Sequence, residues 1–222
     1  EPYRKADASR GAPEFDSLDV DLLSWLPVNT FGLGSDGAAD IWGYTSPGGR
    51  EYALITLSNG LSFVDVTEPT NAQIVATFSG PDSLWQDVKI YGHHAYAVSE
   101  GGQGIRVYNM ENIDSGQVAF EGTVTSGGST ATHNVAIDTD SGFLYRTGGS
   151  NNGLRIYSLD NPSSPQLVGE WQDRYVHDAQ IRAFDTVNIG GQIGFFRQIA
   201  FCCSGFNGGS VDTGLTIVDV TN

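Results

Sequence analysis

Leu61-Ser-Phe-Val-Asp-Val66 decides the fold, because the chain writes the same pattern four times. Ile105-Arg-Val-Tyr-Asn-Met110, Leu154-Arg-Ile-Tyr-Ser-Leu159 and Leu215-Thr-Ile-Val-Asp-Val220 repeat it, with starts 44, 49 and 61 residues apart. Each alternates apolar with mixed residues and is rich in β-branched types, which is strand chemistry. A tyrosine stands nine residues before three of the starts: Tyr52, Tyr96 and Tyr145. Eight residues after Leu61 and Leu154 stand Pro69 and Pro162, and eight after Ile105 stands Ile113. Matching registers on both sides of the motif mark a true internal repeat.

Working outward, each repeat reads as four strands. The innermost begins near Asp40, Asp87, Asn134 and Asp178. Turn-forming stretches follow: Ser46-Pro-Gly-Gly49, Tyr91-Gly-His-His94, Asp138-Thr-Asp-Ser-Gly142 and Asn188-Ile-Gly-Gly191. The second strand carries the tyrosine, as in Glu51–Leu57 and Ala95–Ser99. Ser58-Asn-Gly60, Gly101-Gly-Gln-Gly104 and Gly148–Gly153 then lead into the repeated motif. The outer strands are expected at Ala72–Phe78, Gln117–Val124 and Gln166–Trp171. Four antiparallel strands every 40 to 50 residues are the signature of a β-propeller blade. The expected fold is all-β, with about four blades at residues 40–78, 83–124, 131–171 and 175–222.

Residues 1–17 form a polar tail with no apolar leader segment. Leu18-Asp-Val-Asp-Leu-Leu-Ser-Trp-Leu26 reads as an outer strand that closes the ring. Asp219-Val-Thr-Asn222 stops inside the turn that the first repeat writes Asp65-Val-Thr-Glu-Pro69, so further sequence beyond residue 222 is expected.

Composition narrows the partners. Twenty-six acidic against eleven basic residues give a formal net charge of −15. Phosphate binding needs clustered Lys and Arg, so nucleic acid and anionic membrane surfaces are poor partners. The chain has 29 glycines among 222 residues, close to twice the usual share, which repeated tight turns explain. No apolar run is long enough for a membrane-spanning helix. High acidity and only two lysines, Lys5 and Lys89, favour an exported protein. The adjacent Cys202 and Cys203 are compatible with a vicinal disulfide, an intermolecular link or two reduced thiols.

The ordered motifs Asp40-Ile-Trp-Gly-Tyr44, Ser58-Asn-Gly-Leu-Ser-Phe-Val-Asp-Val-Thr67, Ser83-Leu-Trp-Gln-Asp-Val-Lys89, His133-Asn134, Tyr175-Val-His-Asp-Ala-Gln180 and Leu215–Thr221 resemble the LVIVD-repeat proteins of the choice-of-anchor B family. The resemblance runs from about Leu18 to Asn222. It implies an exported or cell-surface β-propeller and leaves the chemistry open. Cys202–Gly214 is longer than the hairpin such proteins place there.

The candidate site is a ring. Asp40, Asp87, Asn134 and Asp178 share one register, and a propeller gathers such positions at one mouth of its channel. Three roles compete for them. Asp and Asn at strand starts can satisfy backbone N–H groups between blades. Carboxylate and amide oxygens also suit Ca²⁺, and with His133 and His177 added the set Asp87, Asp178, His133 and His177 suits another divalent metal. The third role is catalytic, with His177 as base and His133 as substrate or metal contact, as in a polysaccharide lyase or hydrolase. Convergence of the two imidazoles on an open pocket favours an enzyme, whereas sealed or divergent rings favour a binding module. The leading expectation is a binding or assembly module for an extracellular glycan or protein, or for self-assembly into a filament or matrix. Trp25, Trp42, Trp85 and Trp171 could stack on sugars, but packing between blades is the expected use of at least three of them, and His93-His94 is expected as an exposed pair.

Overall fold

The computed structural model describes residues 18–19, 21–184, 187–189, 192–194, 197–205 and 213–221. The expected polar tail at residues 1–17 lies outside them. Blade 1 comprises β1 (Ala38–Thr45), β2 (Glu51–Leu57), β3 (Gly60–Asp65) and β4 (Gln73–Ser79). Blade 2 comprises β5 (Gln86–Tyr91), β6 (His94–Ser99), β7 (Ile105–Asn109) and β8 (Ala119–Val124). In blade 3, β9 (Asn134–Asp138), β10 (Phe143–Thr147), β11 (Leu154–Ser158) and β12 (Gln166–Trp171) pair in chain order. Blade 4 has three described strands, β13 (Val176–Phe184), β16 (Arg197–Ser204) and β17 (Gly214–Asp219). The short hairpin β14 (Val187–Ile189) and β15 (Gln192–Gly194) stands between β13 and β16. Every pairing is antiparallel.

Packing between neighbouring blades covers both faces of the middle strands, where burial can run through a strand instead of alternating, while no residue of the outer strands β4, β8 and β12 is buried. Every residue of β3 and of β6 is buried. Tyr52, Leu54, Leu61 and Phe63 of blade 1 pack on Val88, Ala97 and Tyr108 of blade 2. Val98, Ile105 and Val107 of blade 2 meet Val135, Leu144 and Tyr157 of blade 3. Tyr145 and Leu154 of blade 3 meet Val176, Ile181 and Ala200 of blade 4. Inner strands β1, β5, β9 and β13 are neighbours in that order. Apolar burial between successive sheets is the main stabilising contact of this stack.

Two surfaces differ from this pattern. Leu18–Leu26 does not form the expected closing strand: residues 21–27 are irregular. Pro27 precedes a 3-10 turn, Val28–Phe31, which sends Phe31 into an apolar cluster with Leu57 and Val64. Leu26 and Val28 join that cluster, so the segment covers the outer face of blade 1 through side chains. In blade 4, Leu215 and Ile217 are 66% and 60% exposed. Their equivalents Leu61 and Phe63 are fully buried against the following blade.

Candidate functional site at the channel mouth

The inner strands bring the four ring residues to one pocket. Asp40, Asp87, Asn134 and Asp178 line a concavity of about 540 Å³ together with Leu84, Trp85, Lys89, His133 and His177. The site therefore draws on all four blades, from residues that lie far apart in sequence.

Three of the ring residues staple one blade to the next. Asp40 Oδ2 accepts the N–H of Val88 at 3.3 Å. Asp87 Oδ2 accepts the N–H of Val135 at 2.8 Å. Asn134 Nδ2 donates to the His177 carbonyl at 3.3 Å, and Thr147 Oγ1 donates to the same oxygen at 3.1 Å. Polar groups at strand starts thus satisfy backbone groups that blade packing would otherwise leave dry. Asp178 bonds only its neighbouring Ala179 N–H among the contacts described, and its side chain stays exposed on the rim.

Lys89 supplies the positive charge of the site. Its ammonium group pairs with Asp87 Oδ1 and lies 3.3 Å from Asp40 Oδ2. It also sits 4.5 Å from the centre of the Trp42 ring. Among the described residues, no three His, Cys, Asp or Glu side chains come together as a metal-ligand set. Burial pushes the Asp87 carboxyl up to about 7, and its hydrogen bond with Asp40 adds to the rise, while Lys89 and the Val135 N–H oppose it. For Asp40, burial acts upward but is outweighed by Asp87, Lys89 and backbone N–H groups, so its value is lowered.

This pair makes stability depend on pH. Between the ordinary carboxylate range and about 7, the folded state holds a proton at Asp87 that the unfolded chain releases. Raising the pH through that window therefore weakens the fold. The lowered value of Asp40 acts only below the ordinary range, outside the window. In a His94→Gln background, which removes the opposing effect of the lowered His94 value, thermal unfolding should give a higher Tm at pH 5 than at pH 8. Asp40→Asn should shrink that difference, because it removes one cause of the raised Asp87 value. An unchanged difference in the variant would contradict the coupling.

The two histidines converge. The His133 and His177 rings lie 4.3 Å apart, and the Trp85 ring lies 5.9 Å from His133. Glu100 Oε1 stands 2.7 Å from His133 Nδ1, which fixes the ring's orientation. Gly148 closes the back of this group. Its φ is +64°, and a Cβ there would fall 2.6 Å from the Cβ of His133. Arg146 orders the loop that leads into His133. Its guanidinium donates to the carbonyls of Ser126 and Ser129, to Thr132 Oγ1 and to the Tyr157 hydroxyl.

The tryptophan and His93-His94 expectations need correction. Trp85 and Trp42 are 59% and 41% exposed, at the pocket rim and under Lys89. His94 is buried, not exposed. Its Nε2 lies 3.1 Å from both Ser163 Oγ and Glu121 Oε2, and burial first of all lowers its pKa. Cys202 is buried and Cys203 exposed, as neighbours on a strand must be, and both are free. Burial, then the adjacent Cys203, pushes the Cys202 thiol up to about 11, which makes it a poor nucleophile. Sequence reasoning did not assign Glu100 or Lys89 to the site.

Comparison with solved structures agrees with the fold. The β-propeller domain of Cps50 (Swd1) from Myceliophteria thermophila superposes with a TM-score of 0.52 at 14% identity, over 75% of this chain and 50% of that one. A protein from Lactobacillus plantarum gives 0.50 at 14% identity, over 82% of this chain and 55% of that one. The chain spans about half the length of these structures. At such identity the likeness shows the fold alone: this is a β-propeller. No family model matches the sequence, and no curated protein does.

Proposed function

We propose that this chain is a binding propeller that takes a glycan at the channel mouth. The pocket of about 540 Å³ carries this reading, because it sets exposed Trp85 and Leu84 beside imidazole, amide, carboxylate and ammonium groups. An indole stacks on the apolar face of a sugar while the polar groups take its hydroxyls. The motif resemblance to LVIVD-repeat proteins supports export to the cell surface. A glycan array followed by calorimetric titration of the best binder tests the proposal. Trp85→Ala should weaken binding about tenfold or more. Undiminished binding by that variant would reject the pocket.

Calcium is one of the roles open to the ring, and Lys89 already brings a positive charge to Asp40 and Asp87. Tm should therefore be the same in calcium and in chelator. A rise in calcium that is lost in Asp87→Asn or Asp178→Asn would restore the metal reading.

The convergence of His133 and His177 on the open pocket is the arrangement that favours an enzyme over a binding module, and it carries a second reading. Glu100, His133 and His177 form an array able to accept and pass on a proton, as a polysaccharide lyase or hydrolase requires. Turnover of the bound glycan that is lost in His177→Ala would move the assignment from binding module to enzyme. Binding without turnover keeps it where it stands.

A further inference from the structure

Two crossover loops carry rings of the channel mouth, and each rests on a buried arginine of the blade it enters. Residues 80–85 join β4 to β5 and carry Leu84 and Trp85, and residues 125–133 join β8 to β9 and carry His133. Arg106 and Arg155 hold the second place of the repeated motif in blades 2 and 3. Arg155 Nε donates directly to the Gly127 carbonyl of its loop at 3.2 Å. Arg106 reaches the other loop through an intermediary, Gln86.

The contacts run outward from the core. Arg106 is 1% exposed, and its Nη2 donates to Gln86 Oε1 at 3.0 Å. A guanidinium has donors only, so the Gln86 amide must turn its oxygen inward and its nitrogen towards the loop. There Gln86 Nε2 donates to the carbonyls of Pro81 and Ser83, at 3.3 and 3.2 Å, and to that of Leu57 in β2. Ser83 Oγ accepts the Trp85 N–H at 3.0 Å, and the Trp85 carbonyl accepts the N–H of Glu100 at 3.0 Å. The backbone that presents the exposed indole is thereby held on both sides of the residue.

Arg106 is poorly suited to packing alone. The Tyr108 hydroxyl is its other described acceptor, at 3.3 Å, its Nε has no partner, and no carboxylate stands among its described contacts. So sparsely compensated a buried charge gives up stability that an apolar side chain of similar volume would keep. The fit is also close, because a Cβ on Gly80 would collide with Arg106 Nη1.

We propose that Arg106 is a positioning residue of the channel mouth: acting through the Gln86 amide, it holds residues 80–85 in the form that presents Trp85. The inference rests on the reading of Trp85 as the sugar-stacking surface, although its first test needs no sugar. In nitrogen-15 relaxation, Arg106→Met should lower the heteronuclear NOE of the Trp85 indole N–H and of the Ser83 and Trp85 backbone, and leave the Trp171 indole unchanged. Arg106→Lys should restore most of the order, since an ammonium also has donors only and sets the same amide orientation. Gln86→Glu keeps an acceptor for Arg106 but has no donor for the loop, so it should loosen Trp85 even if Arg106→Met fails to fold. Glycan affinity should fall about three- to tenfold in Arg106→Met, with no further loss when the same change is made in Trp85→Ala. A Trp85 indole as ordered in Arg106→Met and Gln86→Glu as in the wild type would overturn the proposal. So would an affinity loss that is just as large in the Trp85→Ala background. Loosening of Trp85 by these variants in a protein that binds no glycan would reject the glycan reading and keep the positioning role.

Discussion

Arg146→Met is expected to cost about 4 kcal/mol of stability and to lower Tm by roughly 10 °C. The side chain is buried, and it is the shared donor for the Ser126 and Ser129 carbonyls, Thr132 Oγ1 and the Tyr157 hydroxyl. Methionine fills a similar volume, so the loss comes from leaving several acceptors in a dry interior. The same segment carries the chain into His133, so glycan affinity should fall with stability. Urea denaturation measures the first effect, and a shift of less than about 1 kcal/mol would contradict it. Arg197→Met is the control. Arg197 pairs with Asp219 at an exposed edge, where solvent screens the ion pair, and no resolvable change is expected.

Gly153→Ala is expected to cost about 3 kcal/mol. Its φ of +72° places an alanine in the left-handed region, a penalty of roughly 1 kcal/mol. The new Cβ would also collide with the backbone carbonyl of Trp171, which cannot turn aside as a side-chain tip can. β12 would have to move off β11 and give up pairings between Leu154 and Trp171, and overpacking of this kind adds about 1–3 kcal/mol. Hydrogen exchange should show the loss concentrated in β12. Protection equal to the wild type across β12 would contradict the close-approach argument.

The fold was largely legible because its signals repeat. A strand covered on both faces takes apolar or aromatic residues at most of its positions, and Leu61–Val66 and its three copies carry them at the first, third, fourth and sixth places in one register. The tyrosines and the ring positions Asp40, Asp87, Asn134 and Asp178 stood out for the same reason. All four ring residues do line one pocket. Their division of labour was not legible. Asp40, Asp87 and Asn134 act as staples because the next inner strand presents a backbone group within reach, and that proximity is a tertiary fact. Lys89 was within reach of sequence reasoning, since a strand places residues 87 and 89 on one face. Glu100 had no such signal: it meets His133 only through the stacking of blades 2 and 3. Leu18–Leu26 misled because its alternation describes an amphipathic strand, whereas pairing requires a free edge beside it. Pro27 and the buried Phe31 turn that segment onto the face of blade 1 instead.

Nuclear magnetic resonance titration with the best-binding glycan tests the channel-mouth site most directly. The indole N–H of Trp85 and the ring resonances of His133 and His177 should shift together and saturate at one affinity. The His94 ring, buried between blades 2 and 3, should stay unmoved. Shifts confined to residues away from the pocket, with Trp85 silent, would contradict the assignment of this mouth as the binding site.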